Sequence, residues 1–193
     1  MLKVGICGTI GSGKSTVCRI FEDMGVPVYY ADDRAKSLMV TLPELIEKIT
    51  EAFGSQCYVD GVLDRRYLAS QIFGDDSKRL LLNSIVHPVV CKNFVEWAES
   101  QTAQYVIIES AILFESGLAD VIDRSIAVLT DQTLALERAA ARDGADIEAI
   151  KARMAVQRSA DELRKMADYT IYNIDLNELP NQVAEVDHSL REL

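Results

Sequence analysis

Residues 8–15 read Gly8-Thr9-Ile10-Gly11-Ser12-Gly13-Lys14-Ser15, which matches the phosphate-binding pattern G-x-x-x-x-G-K-[S/T]. The stretch lies between a short apolar run at 2–7 and a segment with helical spacing at 14–24. Glycines in such a loop let backbone N–H groups surround one phosphate, and the following helix adds its partial positive charge. A lysine in the first turn of a helix opposes the helix dipole unless an anion is bound there. The stretch therefore predicts a nucleoside triphosphate site at a strand-to-helix turn.

The second half of this loop carries the predicted contacts to the nucleotide. We expect Lys14 to reach the β- and γ-phosphates and the Ser15 hydroxyl to ligate Mg²⁺, while Thr16 is placed for the next phosphate. The predicted ATP-binding residues of the loop are Gly11, Ser12, Gly13, Lys14, Ser15 and Thr16.

Short apolar runs alternate with helical segments along the chain. The predicted strands are 2–7, 26–30, 105–109, 125–129 and 169–174, and helices are predicted at 14–24, 131–142, 146–165 and 179–190. Short apolar strands separated by helices indicate a parallel sheet that is covered on both faces. The sequence thus predicts an α/β fold of the P-loop NTPase type, with three layers and a parallel sheet of about five strands.

The stretch 32–100 is longer than a single crossover helix requires. Its pattern is nearly all helical, and we expect the His87-Pro88 pair to open a helix at 88–100. We predict a helical subdomain at 33–102 that covers a ligand. The breaks between its helices are expected at Pro43, Gly54, Gly61, Gly74 and Pro88.

The rest of the chain is predicted to form a single domain with this insert. Its core comprises 1–32, 103–137 and 166–193. The charged segment 138–165 follows the fourth predicted strand, and we interpret it as a lid over the nucleotide.

The charge balance bears on possible partners. The chain has 193 residues, with 30 acidic against 20 basic residues and a net charge of −10. Proteins that bind nucleic acid or anionic membranes carry the opposite balance, so we expect neither partner. The four cysteines form no C-x-x-C pair, and we interpret them as reduced thiols of a cytoplasmic protein without a signal peptide. We expect a monomer with at most weak self-association.

The loop alone does not distinguish between three classes of protein, namely a kinase, a switch GTPase and an ATPase. A guanine-specific switch should carry Asn-Lys-x-Asp, but neither Asn-Lys nor Thr-Lys occurs in the chain. A large motor would need more residues. A small metabolite kinase needs a carboxylate at the acceptor, a lid that excludes water, and arginines at the transferring phosphoryl group.

Two acidic residues stand where a sheet of this type binds ligands, at the carboxyl ends of strands. Asp32 follows the second predicted strand, and Glu109 ends the third. Asp32 could instead be the N-cap of a helix at 33–40, and both roles can hold together. Glu109 could orient a metal-bound water or the acceptor, or it could be a hydrogen-bonded acid at a strand end.

Arginines for the phosphoryl group are available in the predicted lid. Arg138 and Arg142 are four residues apart, so they share one face of a helix. Instead of a lid, this charged segment could form an exposed helical face with salt bridges. His87 is interpreted as a structural hydrogen-bonding residue rather than a catalyst. The remaining arginine candidates are Arg153, Arg158 and Arg164.

The chain resembles the dephospho-CoA kinases from residue 2 to about residue 173. The loop at 8–16 is only a phosphate-binding motif, whereas the order and spacing of the further motifs is far more specific. These are Ala31-Asp32, Phe53-Gly54, Asp60-Gly61-x-Leu63-Asp64-Arg65, Leu82-Asn83-x-Ile85-x-His87-Pro88, Ile112-Leu113-Phe114-Glu115, Leu136-Glu137-Arg138 with Arg142-Asp143, Arg153-x-x-x-Gln157 and Ala167-Asp168-Tyr169-x-Ile171-x-Asn173.

This resemblance implies a P-loop core, a CoA-binding helical subdomain and a lid. It also implies transfer of the ATP γ-phosphoryl to the ribose 3′-hydroxyl of dephospho-CoA, which is the last step of coenzyme A synthesis. Asp32 would be the base at the acceptor hydroxyl, Arg138 and Arg142 would lie near the phosphates, and Asn173 would lie near the adenine of ATP. Lys14, Asp32, Arg138 and Arg142 are thus the expected catalytic residues. The expected substrate-binding residues are Asp32, Arg65, His87 and Glu109.

The chain departs from the family's usual pattern at Ala111, where a proline is common, and at three positions closer to the predicted chemistry. Tyr30 stands where an acid is usual, and Glu109 replaces an aspartate. Thr9 replaces a glycine, which removes one option for a positive φ. None of the three removes a group that phosphoryl transfer requires.

Two other functions stay open from the sequence. One is another P-loop kinase, acting on a nucleoside monophosphate or a sugar-like acid. The other is a nucleotide-binding switch without enzymatic activity.

Overall fold

The computed structural model describes residues 1–144, 147–155 and 157–193, without the side chains of Asp143 and Arg153. The predicted lid arginine Arg153 and the first residue of the predicted helix 146–165 therefore lie outside what is described. Within the described ranges, none of the helices has the length and apolar character needed to span a bilayer.

The helices and strands alternate largely as predicted. The strands are β1 (Leu2–Cys7), β2 (Val28–Tyr30), β3 (Tyr58–Val59), β4 (Val62–Leu63), β5 (Tyr105–Glu109), β6 (Arg124–Leu129) and β7 (Tyr169–Tyr172). The α-helices are α1 (Lys14–Asp23), α2 (Ala31–Thr41), α3 (Pro43–Phe53), α4 (Arg65–Ile72), α5 (Asp76–Glu99), α6 (Gln132–Asp143), α7 (Ile147–Ala155), α8 (Ala160–Met166) and α9 (Leu179–Arg191). The second predicted strand begins two residues later than expected, and the last ends two residues earlier.

The main sheet is parallel and has five strands in the order β2-β5-β1-β6-β7 within the described residues. This confirms the predicted fold class. The central strand β1 pairs with β5 on one side and with β6 on the other. The strand order reverses at β1, and ligands of open α/β sheets bind beside such a reversal at the carboxyl ends of the strands.

The two faces of the sheet are both covered. On one face, α1 and α9 pack through Phe21 and Val183 onto alternate strand residues such as Ile6, Ile107 and Ile126, all of which are inaccessible to water. The opposite face is also buried, because its strand residues Gly5, Val106, Ile108 and Ala127 are covered. A side chain at Gly5 would collide with Leu113 and Ile122, which pack on this second face. Each fully buried isoleucine, valine or phenylalanine side chain on these faces contributes about 1.5–3 kcal/mol to stability.

The chain divides into two compact units. The first comprises Met1–Tyr30 with Trp97–Leu193, and the second comprises Ala31–Glu96. The sheet and the predicted lid segment at 138–165 both belong to the first unit. The boundaries drawn above between core, insert and lid stay a prediction.

The second unit, whose sequence pattern is nearly all helical, also contains a pair of strands that was not predicted. Tyr58 and Val59 pair antiparallel with Leu63 and Val62 in a two-stranded hairpin. Its turn is Asp60-Gly61, and both residues have positive φ, of 51° and 77°. This is the turn chemistry that closes a two-residue hairpin, so the Asp-Gly pair between apolar residues was a usable signal. The helical periodicity on both sides obscured it.

The expected helix start at His87-Pro88 is wrong. Helix α5 begins at Asp76 and runs through Pro88 to Glu99. Val86, Val90 and Phe94 are buried at four-residue spacing, so the same helix face is packed before and after the proline. This packing outweighs the loss of one backbone hydrogen bond at Pro88.

The segment after β6 begins as predicted. Asp131 caps α6 by accepting hydrogen bonds from the backbone N–H groups of Thr133 and Leu134 at 2.8 and 3.3 Å. The single helix expected at 146–165 is instead two helices, α7 and α8. Ser159 begins the second with a capping box in which its side chain and that of Glu162 bond reciprocally. A new helix start of this kind ends the preceding one.

Candidate active site

The phosphate-binding loop runs from the end of β1 into α1. Its turn is held by backbone hydrogen bonds from Ser12 N–H to the Thr9 carbonyl and from Thr16 N–H to the Gly13 carbonyl. Ser12 and Lys14 are buried, whereas Ser15 and Thr16 are exposed at the first turn of α1. Thr9 does not have a positive φ, so its departure from the usual glycine costs nothing in backbone conformation.

Two glycines of this loop are required by close contacts as well as by conformation. Gly11 and Gly13 have φ of 80° and 90°, a region that favours glycine. A side chain at Gly11 would overlap the backbone of Ala135 in α6. A side chain at Gly13 would overlap the amide of Asn173. The loop is therefore pressed between α6 and the residue that follows β7.

Lys14 is folded back into the loop. Its Nζ donates hydrogen bonds to the carbonyls of Gly8 at 2.9 Å and Thr9 at 3.3 Å, and it lies 3.8 Å from Glu109 Oε1. The residue is only 8% exposed. A buried ammonium needs such partners because desolvation of an isolated charge is costly. The positive charge is thus held beside the anion-binding N–H groups of the loop.

Glu109 is brought to this position by the sheet. It is the last residue of β5 and pairs in register with Ile6 of β1 and Tyr30 of β2. Its carboxylate is buried beside Lys14. Tyr30 donates its hydroxyl to Glu22 at 2.9 Å, so the residue that replaces the family's usual acid is engaged with α1.

Asn173 contacts the phosphate-binding loop directly. Its Nδ2 donates to the Ser12 carbonyl at 2.9 Å, and the residue is 2% exposed. Its own carbonyl accepts from Thr130 Oγ1 at 2.8 Å and from Arg138 Nη1 at 3.0 Å. Asn173 Oδ1 and Ser12 Oγ are buried without a hydrogen-bond partner in the described residues. The expected contact between Asn173 and adenine stays a prediction, but its contact with the loop was not expected.

The two expected lid arginines differ in their surroundings. Arg138 is half-buried in α6 and is held by the Asn173 carbonyl, which places its guanidinium on the network that fixes the loop. Arg142, one turn later, is exposed. Among the other candidates, Arg158 lies 3.5 Å from Glu115, and Arg164 is exposed at the end of α8.

The cysteines near the loop are not reactive groups. Burial raises the pKa of Cys7 to about 12, with the nearby Lys14 acting in the opposite direction. Burial also raises the pKa of Cys18. Both therefore remain thiols at neutral pH, and thiols are poor nucleophiles.

Three of the four expected substrate-binding residues, Asp32, Arg65 and His87, belong to the second unit, whereas Glu109 belongs to the first. The helix α2 begins at Ala31, so Asp32 lies exposed in its first turn and does not cap a helix that starts at 33. His87 is half-buried in α5. Burial lowers the pKa of His87, and the negative charge of Asp32 acts in the opposite direction.

Arg65 begins α4 and is exposed. The preceding residue, Asp64, caps this helix by accepting from the N–H groups of Arg66 and Tyr67 at 3.0 and 2.9 Å. The Asp64-Arg65 pair thus combines a structural carboxylate with an arginine that is open to solvent.

Sequence reasoning missed the role of Gln157, which was cited only as part of a motif. Its Oε1 accepts from the N–H of Ile10 at 3.0 Å, and its Nε2 donates to the Ala111 carbonyl at 3.3 Å. Gln157 also lines a cavity of about 550 Å³ whose other walls include Thr9, Thr130 and Lys151. No local sequence pattern could signal these contacts, because the partners lie far apart along the chain.

The described residues contain no cluster of three or more His, Cys, Asp or Glu side chains that could hold a metal ion. The exposed hydroxyl of Ser15 fits a different arrangement. Mg²⁺ in nucleotide sites is bound by one or two protein oxygens together with phosphate oxygens and water. The donor set therefore suits a metal that arrives with a nucleotide.

Comparison with known proteins gives a consistent result. The family model of the CoaE dephospho-CoA kinases matches residues 2–178. The chain is similar to a dephospho-CoA kinase of Porphyromonas gingivalis, with 39% identity over 192 residues, covering 99% of this chain and 95% of the relative.

Solved structures agree with this match. A crystal structure of a protein from Thermus thermophilus has a TM-score of 0.86 at 30% identity, covering 97% of this chain and 96% of that one. A dephospho-CoA kinase from Campylobacter jejuni shares the fold with a TM-score of 0.70 at 24% identity, covering 98% and 97% of the two chains. The matched residues span the phosphate-binding loop, the second unit and β7, so this chain belongs to the dephospho-CoA kinase family.

Proposed function

We propose that this protein transfers the γ-phosphoryl group of ATP to the ribose 3′-hydroxyl of dephospho-CoA, giving coenzyme A and ADP. Membership of the dephospho-CoA kinase family supports the substrate pair. Three buried thiols, Cys7, Cys18 and Cys57, agree with a reaction that runs in the reducing cytoplasm.

One observation carries the nucleotide half of this proposal. Lys14 Nζ is buried at the centre of the glycine-rich loop, between two loop carbonyls and Glu109. The loop N–H groups and the start of α1 add positive potential at the same place. The protein as a whole has a net charge of −10, so this local group of cationic and N–H donors is suited to bind an anion such as a polyphosphate.

The chemistry requires little more than positioning and charge neutralisation. A bond forms between the ribose O3′ and Pγ, and the bond from Pγ to the β,γ-bridging oxygen breaks to release ADP. Asp32 is proposed to orient the 3′-hydroxyl and to accept its proton. Arg138 and Arg142 are proposed to neutralise the charge on the transferring group and to exclude water.

Asp32 suits this role because it is exposed in the first turn of α2, two residues after β2 ends. His87, whose pKa is lowered by burial, would contact the acceptor as a neutral imidazole. Arg65 is proposed to bind an anionic part of dephospho-CoA, since its guanidinium is exposed and can form paired bonds with a phosphate.

Mg²⁺ is proposed to bind with ATP. When bound, it would neutralise phosphate charge during the transfer. The Ser15 hydroxyl would be its ligand from the loop. Glu109, 3.8 Å from Lys14 Nζ, is proposed to hold Lys14 in position and to orient a metal-bound water molecule or the acceptor.

Acceptor-dependent release of ADP tests this proposal. The purified protein is given ATP and Mg²⁺ with dephospho-CoA, with AMP, with shikimate or with no acceptor. We expect release only with dephospho-CoA. Release with AMP or shikimate alone would assign a different kinase, and nucleotide binding without any release would assign a switch.

A further inference from the structure

We infer that Gln157 is a positioning residue of the phosphate-binding loop, which it ties to the loop after β5. The inference rests on the proposed function, because it concerns how that site holds ATP. Gln157 lies between α7 and α8, in the segment that was predicted to be a lid.

Ile10 is the residue of the phosphate-binding loop that Gln157 contacts. Its side chain is buried in an apolar cluster with Ala139 of α6 and Ile150 of α7. Its N–H donates to Gln157 Oε1 at 3.0 Å. Both the side chain and the backbone N–H of Ile10 thus contact the segment that follows β6.

The other end of the same amide reaches a second loop. Gln157 Nε2 donates to the carbonyl of Ala111, two residues after the end of β5. This loop follows Glu109, which lies beside Lys14. One side chain therefore connects the loops after two neighbouring strands, β1 and β5. The two buried charges of the site adjoin these loops, since Lys14 follows the first and Glu109 precedes the second.

The residue type matches this task. The tie needs one acceptor and one donor at the end of a single side chain, and a neutral amide supplies both. The next residue, Arg158, has its Nε 3.5 Å from Glu115 Oε1, so a second contact joins the same two segments.

The consequence concerns the binding of ATP. The N–H groups expected to bind phosphate belong to residues 11–16, and Ile10 directly precedes them. Holding the Ile10 N–H keeps the loop in one conformation before the nucleotide arrives, which lowers the ordering cost of binding. Without this tie, affinity for ATP should fall, whereas affinity for dephospho-CoA should not.

The test compares Gln157→Met with Gln104→Met. Methionine is similar in length and lacks both functional groups. Gln104 also makes one side-chain bond to a backbone carbonyl, that of Arg191 at 2.7 Å, but it precedes β5 at the opposite end of the sheet. The measurements are kcat, KM for each substrate, the unfolding midpoint, and calorimetric titration of Mg·ADP in the absence of acceptor.

We expect Gln157→Met to weaken Mg·ADP binding and to raise the KM for ATP by about five- to tenfold, the effect of losing one or two hydrogen bonds. The KM for dephospho-CoA and all constants of Gln104→Met should stay at wild-type values. Gln157→Leu, which also lacks both functional groups and adds no charge, should shift ATP affinity in the same direction and serves if the methionine variant does not fold.

Unchanged nucleotide affinity in the Gln157 variants, or an equal loss in Gln104→Met, would overturn the inference. An equal rise in both KM values would also overturn it, because it would indicate general destabilisation. Failure of the proposed function is a separate result, since it would appear as a lack of acceptor-dependent ADP release in the wild type. The Mg·ADP titration would still test Gln157 in that case.

Discussion

Replacing Asn173 by alanine should loosen the phosphate-binding loop by an amount that the structure allows us to estimate. The Nδ2 of Asn173 donates to the Ser12 carbonyl at 2.9 Å, and the residue is only 2% exposed, so water cannot take over this bond. A buried carbonyl that loses its donor costs about 1–3 kcal/mol. Asn173 Oδ1 lacks a partner in the described residues, and its removal returns about 1 kcal/mol. We expect a net loss of about 1 kcal/mol in the free energy of unfolding, within a range of about 0–2 kcal/mol.

Urea denaturation followed by circular dichroism measures this loss, and calorimetric titration of Mg·ADP measures its effect on the site. Asn177→Ala is the matched control, because Asn177 is exposed in the same connection between β7 and α9. We expect ADP affinity to fall by about threefold or more in Asn173→Ala only, because the loop loses part of its preorganisation. If Asn173→Ala and Asn177→Ala unfold within about 0.3 kcal/mol of each other and bind ADP equally well, the positioning role of Asn173 is refuted.

Three further substitutions test separate parts of the account. Lys14→Ala should weaken Mg·ADP binding and lower kcat by more than about tenfold, since the buried cation is lost; unchanged kinetics would contradict the site. Asp32→Asn should leave ADP affinity intact and lower kcat by more than about tenfold, and near-normal turnover would exclude Asp32 as the base. Asp187→Asn should lower the free energy of unfolding by about 1–2 kcal/mol at pH 7, because Asp187 accepts from Tyr105 at 2.6 Å and from Arg191 at 2.8 Å. Burial favours the neutral acid, but these bonds lower the pKa of Asp187 below its usual 3.8, so its contribution should persist above that pH and vanish at lower pH. Urea titrations measure the difference in free energy of unfolding between the wild type and Asp187→Asn. If this difference does not decrease at acidic pH, it does not come from the ionised carboxylate of Asp187.

The sheet and the phosphate-binding loop could be predicted because their signals are local. The run Tyr105–Glu109 is buried at every position, as a continuous apolar strand in a parallel sheet should be. The glycines of the loop indicate where the backbone can adopt a positive φ. Gly11 and Gly13 do have a positive φ in the structure.

Helix boundaries in the second unit were harder to predict because tertiary packing decided them. Pro88 normally ends a helix, but the buried face formed by Val86, Val90 and Phe94 carries α5 through it. The hairpin at Asp60-Gly61 had a local signal, but it was too short to stand out against the surrounding helical pattern.

The supporting contacts of the site could not be predicted, because they join residues that are distant in sequence. Asn173 and Ser12 are 161 residues apart, and Gln157 and Ile10 are 147 apart. An amide side chain has no periodicity that identifies its partner, so only the fold reveals which backbone groups it meets. Gln157 and Asn173 both stand in motifs of the family, but those motifs do not indicate that their side chains bond to the backbone of the phosphate-binding loop.

Transfer of labelled phosphate to dephospho-CoA tests the central claim most directly. The protein is incubated with Mg²⁺, γ-labelled ATP and dephospho-CoA, and the product is separated and examined by phosphorus NMR. The proposed function predicts one labelled phosphate on the ribose 3′-oxygen for each ADP formed, and at least about tenfold less labelled product with Lys14→Ala over the same time. Label released as inorganic phosphate, or attached to another position of the acceptor, would contradict it.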